Sequence, residues 1–374
     1  MSTVDSNIPF DVESFFNVEV ANFKETLGRI EKEIEQNPDQ ETEDRCVEEF
    51  TTAFHQSREE CRAAEELLKN DTRKLAEIQK RFRDELAPWF DQSWFFDRAK
   101  KKPRGYPGDY VMLTALYNEE PKSTGLGLVM DRYFLKADLA RAVRTRLADV
   151  KAFVLDEIQK RDKPVSILNV ASGPGREYTC GFDHLENPVS VTCLDSDEAA
   201  LGFLKDEVEQ AAAKNLTVTP VCYNALKTTS GEKNIQNFGA SDIVYSVGLC
   251  DYIPDRYMIR ILEGWRQSVI EGGVVYVAFK DCREYVASEY QWHADWHFYL
   301  RTEEDCRALF EQAGYDMETM EMSRDSTGII MNFVSRITTA EGVQFDENQE
   351  LKGPHFSTVR ETEASQRDSL TSEN

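Results

Sequence analysis

Residues 1–98 show the hydrophobic spacing of amphipathic helices. Apolar residues recur at intervals of three and four, which places them on one helical face. Three such segments run from Phe16 to Ile34, from Val47 to Leu68 and from Leu75 to Leu86. Their short connections predict an antiparallel N-terminal helical bundle. The bundle is either a packing element, which could join two copies into a homodimer through these helices, or a lid over a site, and we favour the lid.

From residue 136 the pattern changes to short apolar runs that alternate with helical spacing. The segment Arg324-Asp325-Ser326-Thr327 has the length of a hairpin loop, so the last strand should be antiparallel. Strands that alternate with helices and end in a hairpin predict an α/β fold, with a Rossmann-like sheet of seven strands over residues 136–338. The predicted strands lie at 165–171, 189–194, 216–223, 241–247, 274–279, 315–323 and 328–335.

A glycine turn and a carboxylate follow the first two predicted strands. The first strand runs directly into Ser172-Gly173-Pro174-Gly175, and the second ends at Asp195. A glycine turn lets the backbone approach a ligand closely, and a carboxylate at the next strand tip accepts hydrogen bonds from both ribose hydroxyls. This pair therefore predicts a nucleoside site.

The same turn indicates which nucleoside is bound. A dinucleotide site needs a third glycine, so that the helix start can approach a pyrophosphate, but Tyr178 stands at that position. Pro174 also removes one backbone N–H from the turn. S-adenosylmethionine (SAM) carries no pyrophosphate, so the turn favours SAM over NAD or FAD. The alternative is a structural turn that binds no ligand.

Composition narrows the class of protein. The 374 residues include no long apolar segment, and the eight cysteines form no Cys-x-x-Cys pair, which favours a reducing cytoplasm. The first residues do not have the pattern of a signal peptide. A net charge of −24 argues against nucleic acid and membrane partners. Residues 339–374 are polar and predict a disordered acidic tail.

Residues 99–135 predict a connecting loop that caps the site. A basic run extends from Arg98 to Arg104 in an otherwise acidic chain. It is either a solvated loop or a rim of the site that attracts anions. Gly105-Tyr106-Pro107-Gly108-Asp109-Tyr110 follows directly, and we interpret it as a loop that contacts ligand. The aromatic residues from Trp89 to Phe96 belong mostly to the core of the bundle, and some of them could line an apolar pocket.

Three motifs carry a family resemblance. They are Arg104 to Tyr110, Gly248-Leu249-Cys250-Asp251-Tyr252 and Asp295 to Thr302. The sheet domain at residues 136–336 resembles the class I SAM-dependent methyltransferases. The three motifs resemble more specifically those of a bacterial subgroup with a helical N-terminal extension. That subgroup includes enzymes that form the methyl ester of 3-hydroxypalmitic acid. Pro107 departs from the alanine that is more usual there.

The resemblance implies a role for each matching position. The glycine turn would hold SAM, Asp195 its ribose, Asn224 and Ala225 its adenine, and Tyr106 and Asp109 its amino-acid end. The full cofactor set is Tyr106, Asp109, Ala171, Ser172, Gly173, Gly175, Asp195, Ser196, Asn224, Ala225, Gly248 and Leu249. The candidate substrate-binding residues are Arg104, Tyr110, Trp292 and Trp296.

The catalytic candidates depend on the methyl acceptor. A carboxylate needs no general base at neutral pH, whereas a hydroxyl or a protonated amine does. The candidates are Asp251, Tyr252, His293, Asp295 and His297. His293 and His297 have the spacing of metal ligands, but Ala294 stands where a metalloprotease has glutamate, so we expect no metal and favour a pocket wall over buried structural groups.

The expected function is methyl transfer from SAM to a small molecule. The leading acceptor is a carboxylic or hydroxy acid with an apolar tail, which would be methylated on oxygen. One alternative is an enzyme that transfers or cyclises the aminobutyrate arm of SAM and releases methylthioadenosine. Another is a SAM-sensing binding protein without catalysis.

Overall fold

The computed structural model describes residues 10–338. The predicted acidic tail, 339–374, lies outside the described residues. Before the sheet, the chain folds into helices that begin at side-chain caps. Asp39, Asp71 and Ser93 each accept a backbone N–H of the first turn that follows. These first elements are α1 Val12–Phe15, a π-helical stretch Phe16–Val20, α2 Ala21–Gln36, α3 Gln40–Leu68, α4 Thr72–Phe90 and α5 Trp94–Lys101.

The predicted connecting loop at 99–135 is wrong for most of its length. It contains the end of α5 and two further helices, α6 Tyr110–Tyr117 and α7 Gly125–Lys136. The glycines of this segment suggested a loop, and α6 is apolar on most sides, so it lacks the one-sided pattern of a surface helix. A true loop remains at residues 102–109. Asp109 ends it by capping α6 through the N–H groups of Val111 and Met112.

A seven-stranded sheet forms the second part, with strand order β3-β2-β1-β4-β5-β7-β6. The first five strands of that order pair in parallel, and β7 pairs antiparallel with both β5 and β6. The predicted α/β sheet with an antiparallel last strand is therefore confirmed. Its strands are β1 Val165–Val170, β2 Val189–Asp195, β3 Leu216–Cys222, β4 Ser241–Val247, β5 Val269–Lys280, β6 Glu321–Arg324 and β7 Ile330–Arg336.

Strand β6 is shorter than its predicted span of 315–323. The Asp316 carboxylate accepts the backbone N–H of Glu318 at 2.9 Å and the Thr319 hydroxyl at 3.0 Å, so a turn occupies the start of that span. Helices cover both faces of the sheet. They are α8 Asp138–Gln159, α9 Glu198–Ala211, α10 Gly231–Phe238, α11 Asp255–Arg266 and α13 Glu303–Gln312, whereas α12 Ala287–Ala294 packs against α3 and α4.

Alternate residues of β1 pack into two different cores. Ile167 belongs to the core shared with α8 and the N-terminal helices, whereas Leu168 belongs to the core under α11 and α13. The N-terminal helices therefore pack into one continuous core with one face of the sheet. Within residues 10–338, no helix combines the length and the apolar character needed to cross a membrane.

Candidate active site

A cavity of about 240 Å³ lies at the carboxyl ends of β1, β2, β4 and β5. This is the edge at which open α/β sheets bind ligands. One wall consists of strand tips and the loops that follow them. The opposite wall is apolar and comes from the helices α6, α7 and α8 together with the loop at 102–109. Its apolar residues include Leu113, Leu116, Phe134, Leu139, Ala140 and Val143.

The glycine turn after β1 forms the floor of the cavity at one end. Ala171, Gly173 and Gly175 all have positive φ angles, of 59°, 54° and 57°. Ala171 and Gly173 line the cavity. Gly175 faces away, because a Cβ there would lie 2.3 Å from Cδ1 of Leu204 on α9. Glycine at position 175 therefore lets α9 pack closely behind the turn.

The Asp195 carboxylate ends β2 beside this turn. Its Oδ2 accepts the backbone N–H of Gly173 at 2.8 Å, and its Oδ1 accepts that of Asp197 at 2.9 Å. Burial raises the pKa of Asp195, and these backbone donors oppose the effect. The two donors fix the carboxylate at the cavity wall, where each oxygen keeps acceptor capacity for a ligand.

Of the predicted cofactor residues, seven line the cavity: Tyr106, Ala171, Gly173, Asp195, Ser196, Gly248 and Leu249. The others do not. Besides Gly175, Ser172 is buried in the turn and Ala225 packs into the core under α11. The Asn224 side chain is exposed and accepts the backbone N–H of Leu226 at 2.9 Å, so it caps a short turn.

Asp109 is a structural residue in this arrangement and not part of the cavity wall. It is 1% exposed, and besides capping α6 it pairs with Arg98, with Nη2 2.7 Å from Oδ2. Arg104, predicted to bind substrate, instead pairs with Asp197. This ion pair ties the loop at 102–109 to the turn after β2.

The basic run does not form a free anion-attracting rim. Each of its cations pairs with a carboxylate: Arg98 with Asp109, Lys100 with Asp91, Lys101 with Asp97, Lys102 with Asp295 and Arg104 with Asp197. The lid interpretation also changes. None of the described residues before Tyr106 lines the cavity, so the loop at 102–109 covers it and the N-terminal helices do not.

Tyr252 is the one predicted catalytic residue in the cavity wall. Its hydroxyl accepts the indole N–H of Trp296 at 2.7 Å, so its own proton remains available for a ligand. Trp296 and Tyr110, both predicted to bind substrate, also line the cavity. Burial raises the pKa of Tyr252, which therefore acts as a hydrogen-bond donor at neutral pH.

Asp251 lies beside the cavity and is fully engaged. Its Oδ2 lies 2.5 Å from Nζ of Lys280, and its Oδ1 accepts the backbone N–H of Lys280 at 3.0 Å. Asp251 is 1% exposed and Lys280 is 6% exposed. The carboxylate thus holds the end of β5 and the Lys280 side chain, and it does not line the cavity.

Asp295 lies outside the cavity wall in an ion-pair cluster. It pairs with Arg83 at 3.0 Å and with Lys102 at 2.7 Å, and it accepts a hydrogen bond from His297 at 3.3 Å. Burial opposes its ionisation, but the hydrogen bonds from His297 and Lys102 outweigh burial and hold the pKa of Asp295 well below its usual range. His297 is exposed and does not line the cavity either. Asp295 therefore joins α4 and the loop at 102–109 to the chain after α12, and His297 supports it.

His293 and Trp292 project from α12 into the helical core, so their predicted place in a pocket wall is wrong. The His293 ring lies against Phe54 and Phe82, with ring centroids 4.3 and 5.0 Å away. Its Nε2 is 3.3 Å from Oγ of Ser57. Trp292 is fully buried against Phe82. His293 and Trp292 are buried structural groups, which was the alternative interpretation, because the face of α12 that carries them packs against α3 and α4.

The buried imidazole makes a prediction for acid stability. Burial lowers the pKa of His293 to about 3, so below pH 6.5 the unfolded chain binds a proton that the folded chain does not. Stability should therefore fall as pH falls, by about 2 kcal/mol between about pH 7.5 and about pH 5 from this residue. His293→Phe should remove that part of the decline, measured as the free energy of unfolding at both pH values. Exposed His184→Phe is the control, and an equal decline in wild type and His293→Phe would contradict the prediction.

Two cations of the cavity wall, Arg146 and Lys280, are not among the residues predicted from the sequence. Both had a detectable signal. Arg146 stands on the apolar face of α8, four residues from the buried Ala142 and Val150. Lys280 ends the apolar run of β5. A charged residue on an apolar stripe or at a buried strand tip is costly unless it is paired or used, and this marks both as candidates.

A family model and several solved structures are similar to this chain. The family model described as "Putative methyltransferase" matches residues 105–336. The chain is similar to a possible exported protein from Bordetella parapertussis, with TM-score 0.50 and 18% identity over 62% of this chain and 79% of that chain. It is also similar to the magnesium protoporphyrin IX methyltransferase of Synechocystis PCC 6803 with bound SAH, with TM-score 0.43 and 12% identity over 69% and 99%. No curated protein matches.

The family match and the structural likeness differ in what they show. At 18% identity, the likeness to the Bordetella protein concerns the fold alone. The family match extends over more than half of the chain and includes the glycine turn, Asp195 and all seven strands. The chain therefore belongs to this methyltransferase family.

Proposed function

We propose that this methyltransferase binds SAM in the cavity and methylates the carboxylate of a small acid with an apolar tail. The observation that carries the proposal is the composition of the cavity wall. A glycine turn and a fixed carboxylate form one end, and apolar side chains form the opposite wall. Asp195 is the sole carboxylate among the described residues that line it, and no histidine lines it.

The end at β1 and β2 fits the nucleoside of SAM. The Asp195 carboxylate is fixed by two backbone donors and has acceptor capacity left for ribose hydroxyls. Gly173 leaves its side open, since the nearest atom to a Cβ there would be Cδ1 of Leu113 at 3.7 Å. Tyr106, Ser196 and Leu249 complete this end. When bound, SAM supplies a methyl group that its sulfonium activates for displacement.

The opposite wall fits an apolar acceptor. Leu113, Leu116, Leu139 and Val143 present aliphatic surface, and Phe298 adds an aromatic face. Burial of such surface favours an acyl or alkyl chain by about 25 cal/mol for each Å² removed from water. A hydrophilic acceptor such as a sugar would leave polar groups unpaired against this wall.

No side chain in the described cavity wall is placed as a free general base, and this favours an acceptor that is already ionised. Asp251, His293, Asp295 and His297 were the candidates for proton removal, and none of the four lines the cavity. A carboxylate is ionised at neutral pH, so its methylation gives a neutral ester and no proton has to leave. What remains for the protein is to align the two reactants and to exclude water. The loop at 102–109 and Trp296 cover the cavity and exclude water.

The test is a product assay with purified full-length protein and SAM. The panel contains saturated acids from octanoate to octadecanoate, their 3-hydroxy forms, and the matching alcohols and amines. Mass spectrometry would follow S-adenosylhomocysteine, methylthioadenosine and the methylated product. We expect S-adenosylhomocysteine and methyl esters, with no ester from Asp195→Ala.

Three outcomes would contradict the proposal. Ethers or methylated amines in place of esters would show that the acceptor atom is wrong. Methylthioadenosine in place of S-adenosylhomocysteine would show transfer of the aminobutyrate arm. Binding of SAM without turnover of any panel member would favour a SAM-sensing role.

A further inference from the structure

The guanidinium of Arg146 is a buried cation in the cavity wall. Arg146 lies in the middle of α8, is 5% exposed and lines the cavity. It packs directly against the tip of β4, where Gly248 has a φ of 94° and a Cβ would lie 2.8 Å from Nη2 of Arg146. Any side chain at position 248 would displace the guanidinium. The backbone at this point thus leaves room for the cation.

No carboxylate of the described residues pairs directly with Arg146. The Tyr117 hydroxyl interacts with the guanidinium but is neutral at physiological pH. Glu177 acts on it only from a longer range, and its Oε1 is occupied by Asn169 at 2.9 Å and by the Tyr245 hydroxyl at 2.6 Å. Among residues 10–338, no carboxylate forms an ion pair with Arg146. A guanidinium has five N–H donors, and within these residues the Tyr117 hydroxyl is the one side-chain acceptor found for them, while Arg146 also lines the cavity.

A second cation raises the positive charge at this end of the cavity. Lys280 also lines the wall, and Arg146 lowers its pKa through charge repulsion in addition to the larger effect of burial. The Asp251 carboxylate balances Lys280 alone, since both of its oxygens bind Lys280. Among residues 10–338, the second positive charge, that of Arg146, therefore has no carboxylate at ion-pair distance.

We propose that Arg146 binds a carboxylate inside the cavity. The inference rests on the proposed function, which supplies two molecules with such a group, the amino-acid end of SAM and the acid acceptor. Both present the planar pair of oxygens that a guanidinium fork binds through two parallel hydrogen bonds. The buried position strengthens this pairing, because little water competes for the cation.

The experiment compares probes that differ only around the carboxylate. S-adenosylhomocysteine and 5′-methylthioadenosine share the thioether nucleoside, but the second has no amino acid. Dodecanoate and dodecanol share the chain, but the second has no carboxylate. Calorimetry would give the affinity of each probe for the wild type, Arg146→Gln, Arg146→Lys and the control Arg141→Gln. Arg141 lies on the same helix and is exposed, with its carboxylate partner Asp138 3.9 Å away.

We expect Arg146→Gln to weaken one carboxylate probe by about 10- to 100-fold while its partner changes by less than about twofold. If Arg146→Gln weakens the binding of S-adenosylhomocysteine but not that of methylthioadenosine, the carboxylate that Arg146 binds belongs to the cofactor. If it weakens the binding of dodecanoate but not that of dodecanol, measured with S-adenosylhomocysteine present, the carboxylate belongs to the acceptor. Arg146→Lys should lose less than Arg146→Gln, and Arg141→Gln should match the wild type.

Equal changes within both pairs would overturn the inference. If Arg146→Gln weakened all four probes alike and unfolded at a lower temperature, Arg146 would have a structural role only. Failure of the proposed function looks different, because the wild type itself would then bind neither S-adenosylhomocysteine nor methylthioadenosine. Asp195→Ala should weaken both nucleosides together, whereas Arg146→Gln should not.

Discussion

Asp195→Ala should weaken the binding of S-adenosylhomocysteine by roughly 100- to 1,000-fold. The carboxylate is 8% exposed at the cavity wall and is available to the two ribose hydroxyls. Hydrogen bonds to a charged group each contribute about 1.5–3 kcal/mol, and two of them at about 1.5–2 kcal/mol each correspond to this loss of affinity. The same carboxylate holds the N–H groups of Gly173 and Asp197, so its removal also loosens the turn that faces the ligand. Isothermal titration calorimetry would measure the effect.

Asp197→Asn is the matched control for this prediction. Asp197 lies two residues away, caps α9 and pairs with Arg104, but it does not line the cavity. Asparagine removes the charge but keeps Oδ1, which caps α9 and also accepts an N–H of Arg104, so the loop at 102–109 stays linked and the affinity should stay within about threefold of the wild type. An Asp195→Ala variant that binds S-adenosylhomocysteine like the wild type would contradict the nucleoside site. Tighter binding of NAD than of S-adenosylhomocysteine in the same experiment would identify a different cofactor.

Most of the fold could be predicted from local patterns of apolar and polar residues in the sequence. The strand predicted at 241–247 is β4 at the same residues, because a short apolar run between polar segments has few alternatives to a buried strand. The amphipathic segments at 16–34, 47–68 and 75–86 are helical, since their spacing matches one helical face. The prediction of a connecting loop at residues 99–135 was wrong because α6 is apolar on most sides and the glycines around it are typical of a loop.

Some site residues could also be predicted from local sequence, whereas the positions of others depend on residues that are distant in the chain. Gly173 and Asp195 follow directly from strand tips, and the sequence order alone predicts that parallel strands bring them together. The role of α12 does not follow from local sequence. Which way His293 faces is decided by Phe54 and Phe82, more than two hundred residues earlier in the chain. The segment has the residue types of a catalytic motif, but Trp292 and His293 pack in the helical core, and of its predicted site residues only Trp296 lines the cavity.

Asp251 should stabilise the fold through Lys280 and not by accepting a proton from the substrate. Asp251→Ala would leave the Lys280 ammonium, which is 6% exposed, without the carboxylate 2.5 Å away. Loss of one partner from a buried ion pair costs about 3–5 kcal/mol, because the other charge stays buried and unpaired. The free energy of unfolding in urea should fall by about that amount.

The double variant separates the structural role from a catalytic one. Asp251→Leu combined with Lys280→Met removes both charges and fills a similar volume, so it should recover most of the stability that Asp251→Ala loses. Because Lys280 itself lines the cavity, Lys280→Met alone is the reference for methyl transfer, and the double variant should transfer methyl groups as fast as that single variant. If Asp251→Ala were as stable as the wild type but inactive, the carboxylate would be acting on the substrate. In that case Lys280 would position Asp251 as a general base. The preferred methyl acceptor would then be a group that must lose a proton, such as a hydroxyl, instead of a carboxylic acid.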